Sequence, residues 1–579
     1  MVRKMTPAKL NADVKTSPAR SVTSPLLARL LGLPPRLTAD VAVERDLAVP
    51  MPDGTAQLAD RWHRIDGGGD ADPVMLVRTP YGRRPLGPIA RLFAERGCQV
   101  VVASCRGTFG SGGTFDPLRD EAADGQATLA WLAAQPWDPG TVVTWGASYA
   151  GLTQWAIARG RPAQVAAAAL TSSAADARST MVYPGDVFAL DLAAFWSWSI
   201  HEQEQVGGSW LRQIAGQRRK AKVLADVLGT LPLQAVDERL FGAKAPWYQD
   251  WLAHPDPGDP WWDQVIYTGD AAGMAPASLV AGWYDIFLPH QLADFQRLRA
   301  AGNPARITVG PWHHGSPGMF RASLRDAVDW FGHRLRGLGT AHPEPVRVFV
   351  QGSKRWIGLP DWPPPADVQR WHLHPHGRLA PAPPPSEGAD RYRYDPADPT
   401  PAAGGVSHVR QPYAGSKNNA AREARADVLI YSSEVLADDL TVVGPVQAEL
   451  WVRPSLDHTD LFVRLCDVDP KGRSWNRSDG IVRLRPQAAR RETDGTMRAG
   501  VELWPTATTF RRGHGLRLQV SSGAHPVYAR NLGTGEPPGQ ATTMRAADIE
   551  VLRSPARPSA VQLPVVAFPG TDPRPPGRA

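Results

Sequence analysis

The chain has 579 residues, of which 42% are hydrophobic and 21% charged, a composition that excludes a disordered chain; its length predicts two to four domains around separate cores. The net charge of +7 raises nucleic-acid binding, and its distribution argues against it. Arg3, Lys4, Lys9, Lys15, Arg20, Arg29 and Arg36 oppose Asp13 alone in the first 36 residues, so the excess sits in an N-terminal arm and not on a folded basic face.

The arm, residues 1–38, reads as solvated or loosely packed. From there to about residue 177, short apolar runs alternate with helix-like stretches. Val74-Met75-Leu76-Val77, Val100-Val101-Val102-Ala103 and Thr141-Val142-Val143-Thr144 have the continuous apolar character of parallel strands buried on both faces. Between the last two, residues 120–132 open with Asp120, Glu121 and Asp124 and continue with Ala, Leu and Trp. That pattern predicts a crossover helix with acids complementing its N-terminal dipole. Residues 178–272 lose strand character and gather Trp196, Trp198, Trp210, Trp247, Trp251, Trp261 and Trp262, which predicts a helical insertion with most of these rings in its core. The α/β pattern resumes over 273–343, with Ser278-Leu279-Val280-Ala281-Gly282 and Arg306-Ile307-Thr308-Val309-Gly310.

From 344 to 579 the texture is β. Val346–Val350, Val446–Val452, Leu461–Leu465 and Leu516–Val520 alternate apolar with polar residues, the period of antiparallel strands with one buried face. Pro375–Pro401 is proline-rich and reads as a long surface loop. Turn signals between many short strands predict a sandwich. His372, His374 and His376 read as an exposed strand end, because no carboxylate or cysteine is spaced to complete a metal-ligand set. Cys98, Cys105 and Cys466 lie in strand-like contexts without C-x-x-C spacing and read as reduced, buried thiols. No stretch approaches the about 20 apolar residues of a membrane helix, and no signal core is evident, so a cytoplasmic protein that binds neither membrane nor nucleic acid is expected.

Chemistry concentrates at Trp145-Gly146-Ala147-Ser148-Tyr149-Ala150-Gly151. A strand-like run before it and a helix-like run after it suggest a nucleophile elbow, in which a serine hydroxyl is presented on a tight turn. Small residues two before and three after Ser148 permit that turn; Ala150 stands where the commoner pattern has glycine. Two later strand-like runs lead into Trp283-Tyr284-Asp285 and Pro311-Trp312-His313-His314. The order Ser, Asp, His, each after a buried strand, is that of an α/β hydrolase. Asp285 and one of the two histidines satisfy the need for a base and a carboxylate that orients it.

With Arg78-Thr79-Pro80-Tyr81, Cys105-Arg106-Gly107-Thr108-Phe109-Gly110-Ser111-Gly112-Gly113, Asp479-Gly480-Ile481, Leu503-Trp504-Pro505-Thr506 and Phe510-Arg511-Arg512-Gly513-His514, these motifs resemble the cocaine esterase and X-prolyl dipeptidyl peptidase family of serine hydrolases. The resemblance covers about 45–536 in the family's order. It implies an α/β-hydrolase fold with a helical cap and a C-terminal jelly-roll β-sandwich. It also implies Ser148 as nucleophile, Asp285 as triad acid and His314 as base, with His313 the alternative. Tyr81 hydroxyl and Tyr149 amide become the oxyanion hole, and Phe287 lines the substrate pocket. One departure is Ser104, where relatives usually carry an aspartate.

The expected reaction is hydrolysis of a small-molecule ester without cofactor or metal. Ile286-Phe287-Leu288-Pro289-His290 carries no carboxylate where amino-ester relatives place acids, so a dipeptidyl peptidase or α-amino acid ester hydrolase is the second reading; Asp186, Asp191 and Glu202 of the insertion are the acids that would restore amine recognition. A catalytically inactive carbohydrate-binding protein is the alternative from another class. The oligomeric state, a homodimer included, stays open.

Overall fold

The computed structural model describes residues 16–18, 24–67, 69–204, 223–338, 344–407, 414–486 and 491–567. Its first sheet holds β1 (Thr16–Pro18), β2 (Val41–Pro50), β3 (Ala56–Arg64), β4 (Val74–Thr79), β5 (Gln99–Ser104), β6 (Val142–Ala147), β7 (Val165–Thr171), β8 (Ala277–Tyr284), β9 (Ala305–His313), β10 (Val346–Val350) and β11 (Arg355–Leu359). The spatial order is β1-β2-β3-β5-β4-β6-β7-β8-β9-β10-β11. Strands β5, β4, β6, β7, β8, β9 and β10 run parallel, flanked by antiparallel neighbours at both ends. The apolar runs Val74–Val77 and Val100–Ala103 are fully buried, as their unbroken hydrophobicity requires. This is the α/β-hydrolase sheet.

Helices cover its two faces: α1 (Ser24–Leu31), α2 (Gly87–Ala94), α3 (Glu121–Ala133), α4 (Tyr149–Ala158), then α5 (Leu190–Gln203), α6 (Val236–Phe241) and α7 (Pro246–Ala253) of the insertion, and α8 (Leu288–Ala300) and α9 (Pro317–Arg336). Helix α3 is the expected crossover. Its acids stand in the first turn as expected and do more than that: Glu121 and Asp124 are buried, paired with Arg78 and Arg106. The arm is also partly structured, since β1 pairs with β2 and Ala28 and Leu31 of α1 enter the core beneath α2 and α9.

The second sheet holds β12 (Asp367–His374), β13 (Arg378–Ala380), β14 (Ala389–Tyr394), β15 (Leu429–Ser432), β16 (Leu440–Pro454), β17 (Thr459–Val468), β18 (Ser474–Leu484), β19 (Met497–Phe510), β20 (Gly515–Ser521), β21 (Ala547–Leu552) and β22 (Ala560–Val565). They wrap one apolar core. Along β16, Val446, Ala448, Leu450 and Val452 are buried while the residues between them face outward, the alternation of a half-buried strand.

Three expectations are corrected. Val346–Val350 is not the first strand of the sandwich: β10 joins β9 in parallel within the first sheet. It alternates because only one face, that of Val346, Val348 and Val350, is buried. Pro375–Pro401 is not one loop, because β13 and β14 lie within it, and its prolines 381 to 385 occupy their connection. His372 and His374 are buried; β12 lies between β22 and β13, and His374 Nε2 meets the Ala382 carbonyl oxygen at 2.8 Å.

The two sheets share packing. Val443 and Ala507 sit in one apolar cluster with Leu279, Ile307 and Val348, and Gln351 exchanges backbone hydrogen bonds with Ala507 and Thr509. The three cysteines are buried and free of disulfides. Among the described residues no helix is long and apolar enough to cross a membrane.

Candidate active site

Strands β6, β8 and β9 end at the same edge of the sheet, where open α/β sheets bind ligands. Ser148 joins β6 to α4 with φ 57° and ψ −124°, a backbone region that non-glycine residues occupy only when their surroundings compel it. The flanking glycines supply that compulsion. A Cβ on Gly146 would lie 2.5 Å from the Ala150 carbonyl oxygen, and one on Gly151 would collide with the Ser173 side chain. Strand and helix therefore approach as closely as a missing side chain allows. Ala150 fits because its methyl lies against Gly146.

Asp285 follows β8 and is fully buried. Its Oδ1 accepts the Phe287 backbone N–H at 2.9 Å, and its Oδ2 lies 2.9 Å from His314 Nδ1. The carboxylate thus faces Nδ1 and turns Nε2 of the ring outward. His314 is 13% exposed, sheltered yet reachable. Of the two histidines His314 is the one beside Asp285; among the described residues the His313 ring meets the His314 carbonyl oxygen, at 3.3 Å. Phe287 is fully buried and packs on the His314 ring, with centroids 5.7 Å apart.

Tyr81, on the turn after β4, reaches the same place. Its hydroxyl lies beside Ser148, and burial pushes its pKa above the ordinary tyrosine value, so it stays protonated at neutral pH. The Tyr149 amide belongs to the first turn of α4, whose N–H groups have no intrahelical acceptor. Trp196 of α5, which sequence reasoning left among core aromatics, donates from Nε1 to the Tyr81 oxygen at 3.1 Å. That bond occupies a lone pair of the phenol and leaves its proton available to another acceptor. No spacing could single out this ring from its neighbours. Around it stand Phe115, Tyr149, Trp247 and Trp251, with Trp196 stacked on Tyr149 at a 5° interplanar angle. An aromatic wall thus faces the serine.

The acids of the insertion are engaged elsewhere. Asp186 pairs with Arg178 at 3.0 Å, Asp191 accepts from Ser407 of the β domain at 2.6 Å, and Glu202 accepts from Trp198. At the departure noted above, Ser104 Oγ accepts from Arg83 at 2.8 Å, while Asp46 and Asp60 supply that arginine's carboxylates.

Residues 53–316 match the family model described as X-Pro dipeptidyl-peptidase (S15 family), and residues 339–562 match its C-terminal non-catalytic domain. Cocaine esterase from Rhodococcus sp. (strain MB1 Bresler) is 32% identical over 570 residues, 91% of this chain and 99% of that protein. An aminopeptidase from a marine sediment Thaumarchaeota archaeon superposes with a TM-score of 0.75 at 20% identity, covering 92% of this chain and 99% of the other. An α-amino acid ester hydrolase gives 0.75 at 21%, covering 92% and 98%. The last two speak for the fold. With two family models in their expected order and a full-length relative, the chain belongs to the X-Pro dipeptidyl-peptidase (S15) family and is a serine hydrolase.

Proposed function

We propose that this protein hydrolyses carboxylic esters of neutral or aromatic acyl groups by two-step acyl transfer to water. His314 takes the proton of Ser148, whose oxygen attacks the ester carbonyl. Tyr81 hydroxyl and Tyr149 amide hold the resulting oxyanion. The imidazolium then passes its proton to the leaving alcohol, and water, activated by the same histidine, releases the acid. Asp285 fixes the ring's tautomer and stabilises its cation. Phe287, against the His314 ring, is assigned to the acyl side of the pocket, and no cofactor enters the scheme.

The observation that carries this reading is the 2.9 Å contact of a fully buried Asp285 carboxylate with His314 Nδ1, at the same edge of the sheet as the strained Ser148. Preference for esters over X-Pro peptides follows from charge. A free ammonium in an aromatic pocket is strongly disfavoured without a carboxylate. Residues 286–289 offer none, and Asp186, Asp191 and Glu202 already have partners.

Rates on p-nitrophenyl esters and on Gly-Pro-p-nitroanilide test the choice: ester turnover is expected to dominate, and cleavage of the anilide alone would overturn it. A fluorophosphonate probe is expected to label the protein and not Ser148→Ala. An unlabelled wild type would return the inactive binding protein as the better account.

A further inference from the structure

We propose that the buried Arg78–Glu121 ion pair positions the oxyanion hole, acting on one donor through the phenol of Tyr149 and on the other through the end of β4 that carries Tyr81. The inference rests on the reading above that Tyr81 and the Tyr149 amide receive the oxyanion.

Glu121 opens α3 and touches no part of the candidate triad, yet both its oxygens point at the site's scaffold. Oε2 lies 2.7 Å from Arg78 Nη2, and Oε1 accepts the Tyr149 hydroxyl at 2.9 Å. The same phenol oxygen accepts the Leu118 backbone N–H at 2.7 Å. Arg78 reaches back through Nη1 to the Glu121 carbonyl oxygen at 2.8 Å. All three residues are buried, none more than 5% exposed. Burial and the nearby Glu121 charge push the Tyr149 phenol well above its ordinary pKa, so it remains the donor in this bond.

Stability alone does not call for such a pair, since a buried ion pair is often no better than well-packed apolar residues. What it supplies is direction. The Tyr149 ring is held at its tip by Glu121 and Leu118, on its face by Trp196 and on its edge by Tyr81. Tyr149 is also the residue whose amide follows the nucleophile, so fixing the ring fixes the first turn of α4. Arg78 lies three residues before Tyr81 on the same strand end, and its carbonyl oxygen accepts from Thr153 of α4 at 3.3 Å. Arg78 thereby ties the strand end before Tyr81 to α3 through its guanidinium and to α4 through its carbonyl oxygen. Gly125 makes room for Ile157 and for this guanidinium: a Cβ there would lie 2.7 Å from Ile157 Cγ1 and 3.0 Å from Arg78 Nη1, and a glycine inside a helix otherwise only costs stability.

The test compares Tyr149→Phe, Glu121→Gln and Tyr81→Phe in the full chain. Each is assayed for kcat and KM on a p-nitrophenyl ester, for affinity towards an aryl boronic acid, and for affinity towards the corresponding aryl carboxylic acid. The boronate, once bonded to serine, places an oxygen where the oxyanion forms. Tyr149→Phe and Glu121→Gln are expected to lower kcat by about 10- to 100-fold, as sub-ångström misplacement of catalytic groups does. Boronate affinity should fall in step, with KM and carboxylic acid affinity changed less than about twofold, the pattern of an interaction made only in the transition state. Tyr149→Phe is nearly isosteric, so the test survives if Glu121→Gln does not fold. An unchanged kcat in Tyr149→Phe, or a loss shared equally by boronate and carboxylic acid, overturns the inference. If Tyr81→Phe also keeps full kcat, the oxyanion reading itself fails; if only Tyr81→Phe loses rate, the positioning role alone is wrong.

Discussion

The floor of the site and the wall above it are built by opposite means. The floor, at the ends of β6, β8 and β9, uses small residues and one strained backbone: Gly146, Ser148 and Gly151 leave no room for a side chain to vary. The wall, from the insertion, uses bulk: Trp196 stacks on Tyr149, Trp247 packs edge to face with Trp196 and Phe115, and Trp251 lies tilted against Trp196. Backbone-limited geometry tolerates almost no substitution, whereas a packed aromatic wall accepts replacements of similar volume. Chemistry is therefore fixed by the floor, and substrate choice is left to the wall.

Four substitutions sharpen this contrast. Asp285→Asn should be the most damaging to activity, lowering kcat about 10³- to 10⁴-fold with the fold kept, because the amide favours the wrong imidazole tautomer; ester kinetics beside circular dichroism would show it. Gly151→Ala should destabilise the floor by about 1–3 kcal/mol through overpacking against Ser173, read from urea midpoints. Trp196→Phe, a wall residue that touches the floor, should cost about 1 kcal/mol of transition-state stabilisation, the worth of one hydrogen bond, seen as a lower kcat/KM without a comparable fall in melting temperature. The smallest effect concerns the root of the insertion. Asp294 accepts the Ala175 N–H at 2.7 Å, and burial raises its pKa to about 7. A carboxyl raised in the folded state adds stability that is complete below the unfolded range near 4 and is lost as pH climbs through 7. Between pH 5 and 8 the wild-type urea midpoint should therefore fall by more than that of Asp294→Asn.

The same contrast explains what could be read from sequence. Ser148, Asp285 and the histidine pair were legible because each follows a buried strand, and a buried strand announces itself by an unbroken apolar run. Phe287 and Tyr81 came with the family resemblance, and the structure brings both to the triad. Trp196 was hidden among chemically equal tryptophans, since which indole meets Tyr81 depends on how the insertion packs. Glu121 was visible but half read: an acid at a helix start suggests a dipole partner, and only tertiary contact shows Arg78 against it. The β10 strand misled for a similar reason. Alternation reports one buried face without telling which sheet buries it.

The apolar cluster shared by the two sheets has a consequence for how the protein comes apart. Because Val443 and Ala507 complete the packing of β8, β9 and β10, the sandwich is a missing side of the hydrolase core and not an appendage. A calorimeter should record a single endotherm for the whole chain, and a hydrolase half expressed alone should arrive with an open flank and precipitate.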